Sequence, residues 1–204
     1  MPKVGVEQKR KAQLIEAAIA TIGELGLGGA SLQMIAGRAG LSTGLVAHYF
    51  RDKNGLLEAT LRHIMDQLGT EAVSRYKKAR GPRARLKAIV DANLSYQQLD
   101  SEFGAVWLAF WAESLHSDRL YRVQRVNHHR LLSNLRHCLR DLVASAEVDR
   151  IAESIACLID GVWLRSTLVG GDSHSRRSRA LVMEAVDALL DSAELGNAKP
   201  GESP

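Results

Sequence analysis

Apolar positions recur three and four residues apart along almost the whole chain, the period of helices packed on one side. Leu14, Ile15, Ala18, Ile19, Ile22 and Leu25 make one stripe, and Gly26, Gly28 and Gly29 are predicted to end that first helix. Ser31 is the expected N-cap of a second helix with Leu32, Ile35, Ala36 and Ala39 facing inward, closed by Gly40. Met34 stands where a capping box would place Glu or Gln. Ser42 caps a third helix, with Leu41 and Val46 at the positions of a hydrophobic staple. A long fourth helix is predicted from about 55 to 79, broken by Gly81-Pro82. Further helices are predicted at roughly 83–98, 104–115, 118–145, 148–169 and 173–192, with Gly170-Gly171 between the last two. No segment alternates with a strand period, and there is no internal repeat. The pattern therefore predicts an all-α chain: a three-helix domain over 1–54, a larger helical domain over 55–192 and a disordered tail over 193–204.

The segment from Ser31 to Lys53 has the form of a helix-turn-helix, whose second helix enters the DNA major groove. Helical spacing splits that helix in two. Leu45, Val46 and Phe50 lie on one side, where they can pack on the first two helices. Thr43, Gly44, Ala47 and His48 lie on the other, small or polar as a helix pressed into a groove requires. Thr43 can bond a base edge or phosphate, Ala47 can touch a thymine methyl, and His48 can donate to a guanine acceptor or a phosphate. Gly44 permits close approach. Tyr49 and Lys53 are placed for phosphate contact. Ser31 and Ser42 add hydroxyls and backbone N–H groups at helix N-termini, where an anion is favoured. The same residues also fit plainer roles: the serines as caps and Tyr49 as core.

Composition narrows the class. Of 204 residues, 46% are hydrophobic and 25% charged, ordinary for a soluble globular protein. The longest apolar runs, such as Gly104–Ala112, are too short to span a bilayer. The N-terminus MPKVGVEQKR lacks the apolar core of a signal peptide, which predicts a cytoplasmic protein without membrane attachment. Cys138 and Cys157 read as free thiols in a reducing compartment. The net charge is +4, of which residues 1–55 carry about +3. A basic first segment suits a phosphate backbone.

The remainder of the chain offers binding chemistry rather than catalysis. All three tryptophans lie here: Trp107, Phe110, Trp111 and Ser114 share one helical face, and Trp163 follows Asp160 by three residues. Asp160 is a carboxylate inside the apolar run Ile155–Leu164. Its place in that run predicts burial, and a buried lone carboxylate needs a cation partner, either an arginine such as Arg165 or a ligand. An aromatic stripe is more often core than cage, and both readings stay open here. Ile151, Ile155, Leu158, Ile159 and Val162, then Leu181, Val182, Ala185, Val186, Leu189 and Leu190, make broad apolar faces on the last two helices. Such faces suit packing on a partner as well as on the chain itself, so Asp160 and Trp163 could belong to either a pocket or an interface. His128, His129 and His137 lack the spacing of a metal site. There is no nucleophile elbow, phosphate loop or poised acid–base pair, so no catalytic residue, metal or cofactor is expected.

Ile15 and Ala18, Ile35-Ala36 with Ala39-Gly40, and Ser42-Thr43-Gly44 followed by His48-Tyr49-Phe50 and Lys53 together resemble the TetR family of bacterial regulators. That resemblance implies an N-terminal DNA-binding domain, a helical ligand-binding body and a homodimer built on the last two helices. The likeness extends to the choline-responsive repressors of glycine betaine synthesis genes. It is carried by Met1–Gly5, Tyr49–Thr60, Trp107–Trp111, Arg130–Leu135 and Leu158–Arg165. It implies a repressor that binds a pseudo-palindromic operator and is released by choline. A quaternary ammonium is held by aromatic faces and a nearby negative charge, a role open to Trp107, Trp111, Trp163 and Asp160, with Tyr121, Phe110 and Glu113 as second choices. An alternative is a repressor of the same fold that senses another hydrophobic or quaternary ammonium cation, such as a drug.

Overall fold

The structure, a computed structural model, describes residues 4–95, 101–169 and 174–197. The described residues form helices and connecting turns: α1 Val4–Gly29, α2 Leu32–Arg38, α3 Thr43–Phe50, α4 Lys53–Lys78, α5 Pro82–Asn93, α6 Ser101–Ser114, α7 Asp118–Leu139, α8 Ser145–Val169 and α9 His174–Asn197. They divide into two compact units, Met1–Gln67 with Ser101–Val126, and Leu68–Asp100 with Asn127–Pro204. α4 and α7 each contribute one part to each unit.

In the first unit α1 packs on α6 and α2, and α2 on α3. Leu14, Ala18 and Ile22 of α1 and Val106, Trp107 and Phe110 of α6 are buried. Each fully buried Leu, Ile or Phe here contributes about 1.5–3 kcal/mol relative to exposure. Leu25 departs from the predicted stripe and is 47% exposed. It lies where α1 kinks, at Gly26 (φ 68°, ψ 171°), before one further turn to Gly29.

The turn between α2 and α3 is built by a glycine. Gly40 has φ 64°. Its N–H bonds Gly37 O at 3.1 Å and the Leu41 N–H bonds Ala36 O at 2.9 Å, the paired closure that satisfies the last carbonyls of a helix. Val46 is fully buried and Leu41 half-buried. Arg38 of α2 donates to Glu24 of α1. That bond holds the Glu24 carboxyl below its ordinary range. Asp52 starts α4, its Oδ1 accepting from Gly55 N at 2.7 Å. Arg119 at the start of α7 reaches Glu58 of α4 at 3.1 Å, and Glu58 also receives Arg62 at 2.8 Å.

In the second unit α9 packs on α8 and α5. Ile151, Ile155, Ile159 and Trp163 of α8 and Val182, Val186 and Leu190 of α9 are buried. Ser166 and Ser178 share a buried hydrogen bond of 3.3 Å between the two helices. Pro82 occupies the first turn of α5, directly after the break at Gly81 (φ 84°). α7 ends at Leu139, earlier than its apolar period suggests, because the Leu142 and Val143 N–H groups fold back on Leu139 O. α9 continues to Asn197, so residues 193–197 are helical where a tail was expected, and Ala193 is buried. The rest of the expected tail, 198–204, lies outside the described residues, as do residues 96–98 of the expected fifth helix. Cys138 is buried and Cys157 exposed, both as free thiols. Among the described residues no helix is long and apolar enough to cross a membrane.

Candidate nucleic-acid interface

α3 divides as its spacing predicts. Val46 is fully buried and Leu45 and Phe50 half-buried, while Thr43, Gly44, Ala47 and His48 are all exposed. Gly44 carries the most information. It sits in helical conformation, and a Cβ added there would meet only Ser42 Oγ, at 3.8 Å. Nothing within the chain requires glycine at this position, although glycine in a helix costs about 0.5–1 kcal/mol relative to alanine. The absence of a side chain on this exposed face leaves room for close approach of a groove.

The two serines differ. Ser31 Oγ accepts from Met34 N at 3.2 Å, so it caps α2. Ser42 occupies the cap position of α3, yet its hydroxyl makes no capping bond and is exposed. Ser31→Ala should therefore lower stability by about 1 kcal/mol in a urea titration. Ser42→Ala should cost clearly less, and equal losses would contradict the distinction.

Tyr49 is half-buried, its ring 5.0 Å from that of His48 and 6.5 Å from that of Phe50. Lys53 lies inside the first turn of α4, two residues earlier than that helix was expected to begin, and its Nζ donates to Leu27 O at 3.1 Å. An ammonium group has three donors, so this bond leaves protons for a phosphate.

Two residues that sequence reasoning did not single out also stand beside α3. Lys11 Nζ lies 5.7 Å from the Tyr49 ring centroid and 2.7 Å from the Glu7 carboxylate. The Lys11 hydrogen bond and charge hold the Glu7 carboxyl below its ordinary range, with a smaller pull in the same direction from His48. The Glu-Lys spacing of four is legible in sequence; its position against α3 is not.

The residues considered for ligand recognition fall in both units. Trp107, Phe110, Trp111 and Tyr121 belong to the first, and Asp160 and Trp163 to the second. Trp107 and Phe110 are buried, Trp111 half-buried and Tyr121 50% exposed. Trp163 is buried. Asp160 corrects one expectation. It retains solvent-accessible surface, because the turn of α8 carries Cys157, Asp160 and Gly161 together to the outer side while Ile155 and Ile159 face inward. Protein atoms crowded around its carboxyl nevertheless push its pKa up, and the charge that opposes this is that of His128, on α7. Arg165, also exposed on α8, is not that cation. Among the described residues no group of three or more His, Cys, Asp or Glu could hold a metal ion.

Comparison with known proteins gives this arrangement a family. Residues 14–60 match the bacterial regulatory proteins of the tetR family, and residues 82–191 match the family described as BetI-type transcriptional repressor, C-terminal. The HTH-type transcriptional regulator BetI of Stenotrophomonas maltophilia is 46% identical over 197 residues, covering 96% of this chain and 100% of that protein. A transcriptional regulator from Pseudomonas aeruginosa PAO1 superposes with a TM-score of 0.82 at 30% identity, covering 91% of this chain and 92% of its own. A regulator from Saccharomonospora viridis, crystallised in complex with choline, has the same fold (TM-score 0.76, 19% identity, 88% of this chain and 96% of that one). The chain therefore belongs to the TetR family of bacterial regulators and, within it, to the BetI-type transcriptional repressors.

Proposed function

We propose that this repressor binds a pseudo-palindromic operator as a homodimer, is released by choline, and controls genes for conversion of choline to glycine betaine in the cytoplasm. The observation that carries the DNA half is the exposed row Thr43, Gly44, Ala47 and His48, with a glycine the fold itself does not need. The choline half rests on the BetI-type match over residues 82–191, and the choline bound to the Saccharomonospora viridis regulator is consistent with it. The homodimer reading is supported by apolar surface left on the last two helices: Leu168, Val169 and Leu181 are 57–68% exposed. In such a dimer the recognition helices would stand about 34–36 Å apart, or further, to meet successive major grooves.

Choline would act by binding one arrangement of the dimer better than the other, since a ligand shifts an equilibrium only through differential affinity. α4 is the natural lever. It begins at the Asp52 cap directly behind α3, is held by Arg119 at Glu58, and continues into the second unit. Within the second unit the cation would be met by the Trp163 face and by Asp160, a cation–π contact contributing about 0.5–2 kcal/mol.

Thermal shifts with choline, betaine and a lipophilic quaternary cation separate this reading from its alternative. Choline should raise the Tm, and betaine, which brings its own carboxylate toward Asp160, should raise it less. A shift with the lipophilic cation alone would assign the protein to drug-type sensing instead. Asp160→Asn should blunt the choline response and leave DNA binding intact. The raised pKa of Asp160 means that its ionisation opposes folding. Its favourable contribution is complete below about pH 4 and is lost as the pH rises through the folded-state value. Asp160→Asn should thus be the more stable protein at neutral pH, with the difference shrinking toward pH 4. If it unfolds instead, Asp160 is structural and the pocket lies elsewhere.

A further inference from the structure

We propose that Lys11 is a DNA-phosphate contact of the α3 reader, seated on the Tyr49 ring and occupied by Glu7 until DNA takes its place. The inference rests on α3 being the groove-facing helix. A helix in the major groove is flanked on both sides by phosphates, so a cation standing beside its exposed face is placed to meet one. Lys11 meets that condition without belonging to the helix-turn-helix. Its Nζ is 5.7 Å from the centroid of the Tyr49 ring, and Tyr49 stands next to the exposed His48. The aromatic face orients the ammonium, as a ring quadrupole does for a cation.

Glu7 supplies the second half. Its carboxylate lies 2.7 Å from Lys11 Nζ, on an exposed helical turn, close enough to His48 to feel its charge. It thus puts two anionic oxygens on the side of α3 where a phosphate group would offer two of its own. Exposed ion pairs of this kind are weak, so a phosphate backbone with its many charges can displace the carboxylate. The turn also carries exposed Lys9 and half-exposed Arg10, which extend the basic edge.

The test uses a duplex selected by the wild-type protein from a random-sequence pool, with its affinity measured across a salt series. For Lys11→Gln the salt dependence, log K against log salt, should become shallower by about 0.9 for each Lys11 engaged, while Lys11→Arg keeps the wild-type slope. Glu7→Gln should bind about two- to fivefold more tightly at low salt, a gain that largely disappears in the Glu7→Gln, Lys11→Gln double variant. The slope is read from protein that binds, so a partly unfolded variant lowers the active fraction without imitating the result. An unchanged slope for Lys11→Gln, or a Glu7→Gln gain that persists in full without Lys11, would overturn the proposal. A wild-type protein that selects no duplex would overturn the DNA reader itself, and this proposal with it.

Discussion

Gly55→Ala is expected to cost about 2–4 kcal/mol of stability and to remove most of the DNA affinity, although it replaces glycine by the best helix former. A Cβ at Gly55 would lie 2.0 Å from the Phe50 carbonyl oxygen and 3.1 Å from its carbon. Both are backbone atoms of the last residue of α3, so no rotamer change relieves the clash. Relief would have to come from the end of α3 or from the two-residue turn behind it. That turn has little to give, because Arg51 is already at φ 73°, ψ −52°, a region that non-glycine residues occupy only with strain. Gly55 N also makes the 2.7 Å bond to Asp52 that starts α4. An ordinary glycine-to-alanine change in a helix gains about 0.5–1 kcal/mol. Urea unfolding would read the sign directly, and a variant as stable as wild type would show that α3 and α4 are not locked in this way.

Gly44→Glu should show opposite signs in two assays. Open space around Gly44 admits a side chain, glutamate is a good helix former, and a carboxylate in a first helical turn is favoured by the helix dipole. Stability should therefore hold or rise by up to about 1 kcal/mol. Affinity for the selected duplex should fall on the order of 100-fold or more, because the carboxylate would be driven against base edges and phosphates. A fall in both quantities would mean that Gly44 is needed by the fold. Unchanged affinity would mean that this face of α3 does not enter DNA.

These predictions lean on the part of the molecule most legible in its sequence. The reader is assembled from local signals: the Ser31 cap, Gly40 at positive φ, and a period that separates Val46 from Thr43, Gly44, Ala47 and His48. Each depends on residues within a few positions of one another, so the sequence contains them almost whole. What it does not contain is the approach of distant segments. Lys53 donating to Leu27, Lys11 standing over Tyr49 and Arg119 reaching Glu58 join residues 26, 38 and 61 positions apart, and charge pattern alone does not choose among the possible partners. Backbone detail also overrode pattern at Gly26, where the kink in α1 leaves Leu25 exposed.

The ligand side was less legible for a related reason. Ile155–Leu164 looks uniformly apolar when read as a string, which suggests a buried Asp160. On a helix the same string has two sides, and Asp160 lies on the outer one with Cys157 and Gly161. Its electrostatic neighbour, His128, comes from another helix and could not be picked from a chain with 7 histidines. The aromatic row of α6 shows the same ambiguity from the other direction: helical spacing groups Trp107, Phe110 and Trp111, while burial makes the first two core of the α1–α6 packing and leaves Trp111 and Tyr121 more accessible.

Whether a quaternary ammonium switches the DNA reader is decided by titrating choline into the protein–duplex complex at constant ionic strength and following release by fluorescence anisotropy, with sodium chloride as the matched control. Release at millimolar choline or below, absent in the control and shifted to higher choline by Asp160→Asn, is the result predicted. A complex that stays intact as choline rises through the millimolar range would contradict it.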